Sequence, residues 1–183
     1  MLHSTHKPRI LLLTGTPGIG KTTVICKVAT AISACRISGF FTEEIRQAGV
    51  RQGFGLTTFD GQHVVIAHVD FDHRYRVSKY GVDVAAIDRF ADNVLALADQ
   101  IDVYLVDEIG KMECLSQRFV HRMRALLESD KSMVATVAKY GGGLIRDVKL
   151  RPDSELWALS RANRDAVAGD VVEWVNARVR CRP

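Results

Sequence analysis

At 183 residues the chain is long enough to bury a sizeable core, and 47% hydrophobic with 25% charged residues is a globular balance that excludes disordered, collagen-like and low-complexity chains. The net charge of +4 and pI near 9.0 come from Lys and Arg spread along the chain. No basic run interleaves with aromatics, so the charge suits phosphate ligands and gives no sign of dedicated nucleic-acid binding.

Ile10 to Thr14 reads as a short buried strand, followed by a Gly-rich turn and a helix-compatible stretch from Lys21 to Ala34. Residues 39 to 69 differ in kind. Phe40-Phe41, Gly49, Gly53, Gly55, Asp60-Gly61 and the run His63 to Ala67 predict short hairpins, a β-hairpin-rich elaboration. Helical spacing returns from Val84 to Asp99, and Val103 to Val106 predicts a second buried strand ending at Asp107-Glu108. Beyond it come a helix over Leu115 to Glu128, a strand over Met133 to Ala138 and a short helix over Leu144 to Lys149. A strand over Glu155 to Leu159 and a last helix over most of Asp170 to Val179 complete the series.

Strands alternating with helices predict an α/β fold of three layers: a mostly parallel sheet covered by helices on both faces, with ligands at the carboxyl ends of the strands. No repeat, Pro-rich linker or second core interrupts residues 1–183, so one domain is expected. No apolar run approaches the roughly 20 residues that cross a bilayer, and Ile10 to Leu13 is shorter than the core of a signal peptide, about 7 to 15 residues. Cys26, Cys35, Cys114 and Cys181 lie far apart, without zinc-ligand spacing. The expectation is a cytoplasmic protein with reduced thiols, away from membranes. His63, His68 and His73 are five residues apart, a spacing that matches neither a helix face nor a strand face, so no metal site is expected there.

Residues Gly15-Thr16-Pro17-Gly18-Ile19-Gly20-Lys21-Thr22 fit G-x-x-x-x-G-K-[ST] in the required context, an apolar strand before and a helix after. The glycines let successive backbone N–H groups point at phosphate oxygens. Lys21 adds a point charge for the β and γ phosphates, the Thr22 hydroxyl is a ligand for Mg²⁺, and Thr23 is within reach of the α-phosphate. This is a nucleoside triphosphate site.

Asp107 and Glu108, at the end of their apolar strand, supply what a metal-bound phosphate site needs opposite that loop: Asp107 to hold Mg²⁺, Glu108 to activate the water that attacks the γ-phosphorus. Charge on the transferred group calls for a cation, and Arg164, in Asn163-Arg164-Asp165, and Lys111 are the candidates. Thr136, near the end of its strand, is a candidate contact to the γ-phosphate or to the water.

These motifs resemble the small P-loop nucleoside-triphosphatases of the thermostable and cancer-related type. The resemblance rests on GTPGIGKTT at 15 to 23, GFFTEEIR and GVRQGF from 39 to 54, VSKYGVDV at 77 to 84, VDEIGKME at 106 to 113, and RPD then NRD at 151 to 165. It implies Mg²⁺-dependent hydrolysis of ATP, GTP, CTP and UTP to diphosphate and phosphate. The implied fold is similar to RecA-like ATPases, with an extra strand between the P-loop and carboxylate strands. It also implies two nucleotide-binding stretches, Gly15 to Thr22 and Val103-Tyr104-Leu105-Val106-Asp107-Glu108-Ile109-Gly110. Two alternatives stand beside it. One is a P-loop kinase whose small acceptor sits among residues 39 to 80, with Glu43, Glu44, Arg46, Arg51, Arg74, Arg76, Phe40, Phe41 and Phe54. The other is a nucleotide-gated switch with a macromolecular partner.

Overall fold

The first strand, β1 (Ile10–Thr14), is an unbroken apolar run because it lies inside the sheet: Leu11 and Leu13 pack into one helical layer, Ile10 and Leu12 into the other, and all four are buried. In the computed structural model, which describes residues 8–179, it is followed by α1 (Lys21–Ala31), the long β2 (Ile37–Gln47), β3 (Val50–Thr58), β4 (His63–His68), β5 (Arg76–Val77) and β6 (Tyr80–Val82). Then come α2 (Val84–Val94), β7 (Val103–Ile109), a 3₁₀ turn at Glu113–Leu115, α3 (Gln117–Glu128), β8 (Ser132–Val137), α4 (Leu144–Lys149), β9 (Ser154–Ala158) and α5 (Val167–Asn176).

The strand order is β5-β6-β4-β3-β2-β7-β8-β1-β9. One half, β2, β7, β8, β1 and β9, is parallel. The expected hairpins form the other half, antiparallel and hydrogen-bonded onto β2, so the sheet as a whole is mixed. β8 lies between β1 and β7, which is the inserted strand that the resemblance implied. On one face α1 and α5 cover Leu11, Leu13, Val103, Leu105 and Val134. On the other, α2, α3 and α4 cover Ile10, Leu12, Tyr104, Val106 and Ala135. The α/β class and its three layers follow from that alternation of buried side chains.

Several boundaries differ from the sequence expectation, each for a local reason. α2 starts where Asp83 accepts a bond from the Ala86 N–H at 2.9 Å. It ends at Val94, five residues before the expected Asp99. Beyond it the Tyr104 hydroxyl donates to the Ala96 carbonyl at 2.7 Å and accepts from the Ala98 N–H at 3.2 Å, drawing that segment away from the helical ladder. The stretch expected as one helix from Leu115 breaks at Ser116, whose side chain caps α3 by accepting from the Phe119 N–H. α5 begins a turn earlier than expected, since Val167 opens the buried stripe that continues through Val171, Trp174 and Val175. Cys26 and Cys114 carry free thiols, but Cys35 is disulfide-bonded, against the expectation of reduced thiols throughout. Among the described residues no helix is long and apolar enough to cross a membrane.

Gly39 fixes the contact between β2 and β7. It pairs with Leu105, takes φ +123, and a Cβ placed on it would run into the Leu105 carbonyl. Gly39→Ala is therefore expected to lower unfolding stability by about 2 to 4 kcal/mol. Gly142→Ala, where the space is open, serves as the control, expected to stay within about 0.5 kcal/mol. Urea denaturation of both variants checks this.

At the opposite end of the sheet from the phosphate loop, Asp153 pairs with Arg9 at 2.8 Å and with the Arg151 Nε at 2.9 Å, while Arg151 also reaches Glu128 at 2.6 Å. The Arg151 hydrogen bonds hold the Asp153 carboxyl below the usual aspartate range. A lowered carboxylate stabilises the fold above its unfolded value, and that contribution is lost as pH falls through the folded one. Asp153→Asn is expected to cost about 1 kcal/mol at pH 7. In paired melts, the difference from the parent chain should shrink as pH drops below about 4.

Candidate active site

The turn after β1 gives the phosphate loop its shape. Gly18 and Gly20 both take positive φ, the Ile19 N–H closes the turn onto the Thr16 carbonyl at 3.2 Å, and α1 begins directly after Gly20, where the N–H groups of a first helical turn lack partners within the helix. Lys21 and Thr22 thereby leave the first turn of α1 toward the carboxyl ends of β7 and β8.

β7 carries Asp107 and Glu108 to that point. Asp107 is 1% exposed, and its carboxylate is held from three sides. Oδ2 accepts from the Thr22 hydroxyl at 2.6 Å and from the Thr42 N–H at 3.2 Å, and Oδ1 accepts from the Thr136 hydroxyl at 2.6 Å. The Thr42 hydroxyl also donates to the Asp107 backbone carbonyl. α1, β2 and β8 thus meet on one carboxylate. The hard-oxygen pair of Thr22 and Asp107 is the donor type a divalent cation takes together with phosphate oxygens.

Glu108 faces the loop lysine, with Lys21 Nζ 3.3 Å from Glu108 Oε2. Burial pushes the Glu108 carboxyl up; Lys21 opposes that rise and the Asp107 charge adds to it. Glu113 completes the acidic floor. It is 5% exposed, and a Cβ on Gly110 would lie 2.6 Å from its Oε2 and 3.2 Å from Glu108 Oε1, so the two carboxyls flank one glycine. Burial, with added repulsion from Glu108 and Asp107, raises the Glu113 pKa to about 8. At neutral pH it is mostly a proton carrier rather than a charge. Lys149 donates to the carbonyls of Ala138 at 2.6 Å and Lys139 at 3.0 Å, tying down the segment after β8. Its own pKa is lowered by burial, against the pull of Glu108.

A cavity of about 590 Å³ joins these groups, within the range of small-molecule sites. Of the sequence-predicted residues, Gly15, Thr16, Pro17, Gly18, Lys21, Thr22, Asp107, Glu108, Gly110 and Lys111 line it. Ile19, Gly20, Thr23 and Ile109 lie outside that lining. Val103, Tyr104, Leu105 and Val106 are fully buried strand core, whose part is to carry the carboxylates to the site. Thr136 holds Asp107 instead of facing phosphate. Arg164 does not line the cavity: it follows β9, is half exposed, and its Nε lies 3.7 Å from its neighbour Asp165.

Sequence reasoning missed Thr42, Glu113 and Lys149. Thr42 lies inside the quoted GFFTEEIR stretch and Glu113 ends VDEIGKME, but only the adjacency of β2 and β7 shows what Thr42 holds.

The family model described as NTPase matches residues 10–172. Over 163 residues the chain is 36% identical to the nucleoside-triphosphatase THEP1 of Thermotoga sp. (strain RQ2), covering 88% of this chain and 92% of that protein. It is 32% identical over 185 aligned residues to the cancer-related nucleoside-triphosphatase of Homo sapiens, covering 92% and 97%. It is similar to the crystal structure of THEP1 from the hyperthermophile Aquifex aeolicus, with a TM-score of 0.83, 30% identity and coverage of 91% and 98%. The solution structure of a human cancer-related nucleoside triphosphatase gives 0.79 at 31% identity, covering 92% and 98%. With its sequence matched nearly end to end and its fold shared, the chain belongs to the NTPase family.

Proposed function

We propose that this chain hydrolyses nucleoside triphosphates to the diphosphate and inorganic phosphate. One observation carries the reading: the loop's Lys21 and Thr22 meet Glu108 and Asp107 at 3.3 and 2.6 Å on the wall of one cavity. A phosphate-binding loop and a pair of carboxylates at a single point are the parts that phosphoryl transfer to water requires. The names of the relatives, nucleoside-triphosphatases from bacteria to human, support the same conclusion.

In this reading the loop N–H groups and Lys21 bind the β and γ phosphates. Phosphate oxygens compete for the Lys21 ammonium, which frees Glu108 from its ion pair. Glu108 then takes the proton of the attacking water as the water oxygen bonds to the γ-phosphorus and the bond to the β–γ bridging oxygen breaks. Thr22 and Asp107 would hold Mg²⁺, which when bound neutralises charge across the β and γ phosphates. Asp107 suits that task because Thr42 and Thr136 fix its orientation. Further positive charge comes from Lys111 on the cavity wall, ahead of Arg164, which faces Asp165 outside it. Contacts made chiefly to phosphates account for acceptance of ATP, GTP, CTP and UTP alike.

Glu108→Gln is expected to cut kcat for phosphate release by about 10²- to 10⁴-fold while nucleotide still binds. Lys21→Ala should weaken nucleotide binding as well as turnover. Phosphate release from the four nucleotides, with and without Mg²⁺, checks both variants, and an unchanged kcat in Glu108→Gln would remove Glu108 from the mechanism.

A further inference from the structure

The cavity does not end at the carboxylates. It continues past β7 and β2 to a far wall made by Glu44, Arg51 and Phe54 with Val77 of β5. β3, which carries Arg51 and Phe54, is four places from β1 in the sheet, about 19 Å at ordinary strand spacing. The loop residues that open on the cavity are Gly15 to Gly18, Lys21 and Thr22, whereas Thr23, at the α-phosphate end, does not line it. A triphosphate with its γ end against Glu108 therefore points its nucleoside away from this wall. An attacking water needs only about 30 Å³ of the space beyond.

The wall offers a ring surface and fixed cations. Phe54 packs edge-on against Tyr80 with ring centroids 5.1 Å apart, and the Arg51 guanidinium lies 5.0 Å from the Phe54 centroid. Arg51 is held by the Tyr80 hydroxyl at 3.1 Å and by Glu44 at 2.5 Å, and Glu44 is held in turn by Arg46 at 2.6 Å. That leaves the Arg51 Nη2 without a protein hydrogen bond among the described residues. Lys111 and Lys139 line the same cavity, and neither has an ion-pair partner among the described residues. The proposed hydrolysis draws on Lys111 but uses none of Glu44, Arg51, Phe54 or Lys139.

We propose that this wall is a second ligand subsite for a nucleoside monophosphate, its base against Phe54 and Arg51 and its phosphate toward Lys111, which accepts the γ-phosphoryl in place of water. The inference rests on the reading of the loop as a nucleoside triphosphate site. An acceptor phosphate oxygen bonds to the γ-phosphorus as the bond to the β–γ bridging oxygen breaks. One triphosphate and one monophosphate leave as two diphosphates, with no further reactant.

The test supplies γ-labelled ATP and Mg²⁺ with AMP, GMP, CMP, UMP or ribose 5-phosphate and separates labelled diphosphate from free phosphate. The expected result is label in a nucleoside diphosphate with at least one monophosphate and none transferred to ribose 5-phosphate, which lacks the base. The acceptor KM should rise tenfold or more in both Arg51→Ala and Phe54→Leu, each shown to be folded by its melt. Label only in free phosphate, with no monophosphate bound in calorimetry to protein loaded with a non-hydrolysable ATP analogue, overturns the subsite and leaves the hydrolase reading standing. Monophosphate binding that competes with the analogue overturns it too, since the wall would then hold the triphosphate's own base. Failure of the analogue to bind would remove the nucleotide reading on which the subsite rests.

Discussion

A carboxylate removed from water is costly unless its oxygens are hydrogen-bonded, and Asp107 is 1% exposed. Its partners come from places far apart in the chain: Thr22 at the start of α1, Thr42 on β2 and Thr136 on β8. These bonds require the order β2-β7-β8-β1, with β8 between the loop strand and the carboxylate strand. The apolar cores above and below the sheet stabilise that order in bulk, but the converging hydroxyls give it a point of register. Gly39 belongs to the same constraint, because it lets β2 approach β7 two to three residues before Thr42 reaches Asp107.

The charges nearby are arranged so that the site is complete only with substrate. Lys21 and Glu108 neutralise each other across 3.3 Å, and Thr22 bonds to Asp107 where a metal would be shared. A triphosphate with its cation offers both pairs a stronger partner, since phosphate oxygens bring several negative charges to a partly buried ammonium. Glu113 adds a carboxyl that burial keeps largely protonated near neutrality, with a pKa of about 8. The floor therefore carries less negative charge against the incoming phosphates than its acidic residues suggest.

What could be read from the sequence was what depends on local spacing. Gly15 to Thr22 carries its own geometry, and Val103 to Glu108 shows a buried strand ending in acid, so both halves of the candidate site were legible before any fold was known. The hairpins were legible from Gly and Asp-Gly punctuation, though not that they would extend the same sheet. Thr42 and Lys149 were not, because each acts on a residue that only the tertiary structure brings near. The end of α2 was hidden for the same reason: Tyr104, several residues later, draws the backbone of Ala96 and Ala98 away from the helix. Arg164 looked well placed by its position after the last strand, but the turn that carries it keeps it off the cavity wall.

The central claim is that Lys21 and Glu108 are partners only until a triphosphate arrives, and that Asp107 then stands at the metal. A crystal structure of the full chain with Mg²⁺ and a non-hydrolysable ATP analogue tests it directly. The account predicts that Lys21 leaves Glu108 for the β and γ phosphates, that Glu108 faces the γ-phosphorus across a water, and that Thr22 and Asp107 meet the cation while Thr42 and Thr136 keep their bonds. An analogue bound with the Lys21–Glu108 pair intact, or with its γ-phosphate remote from Glu108, would contradict it.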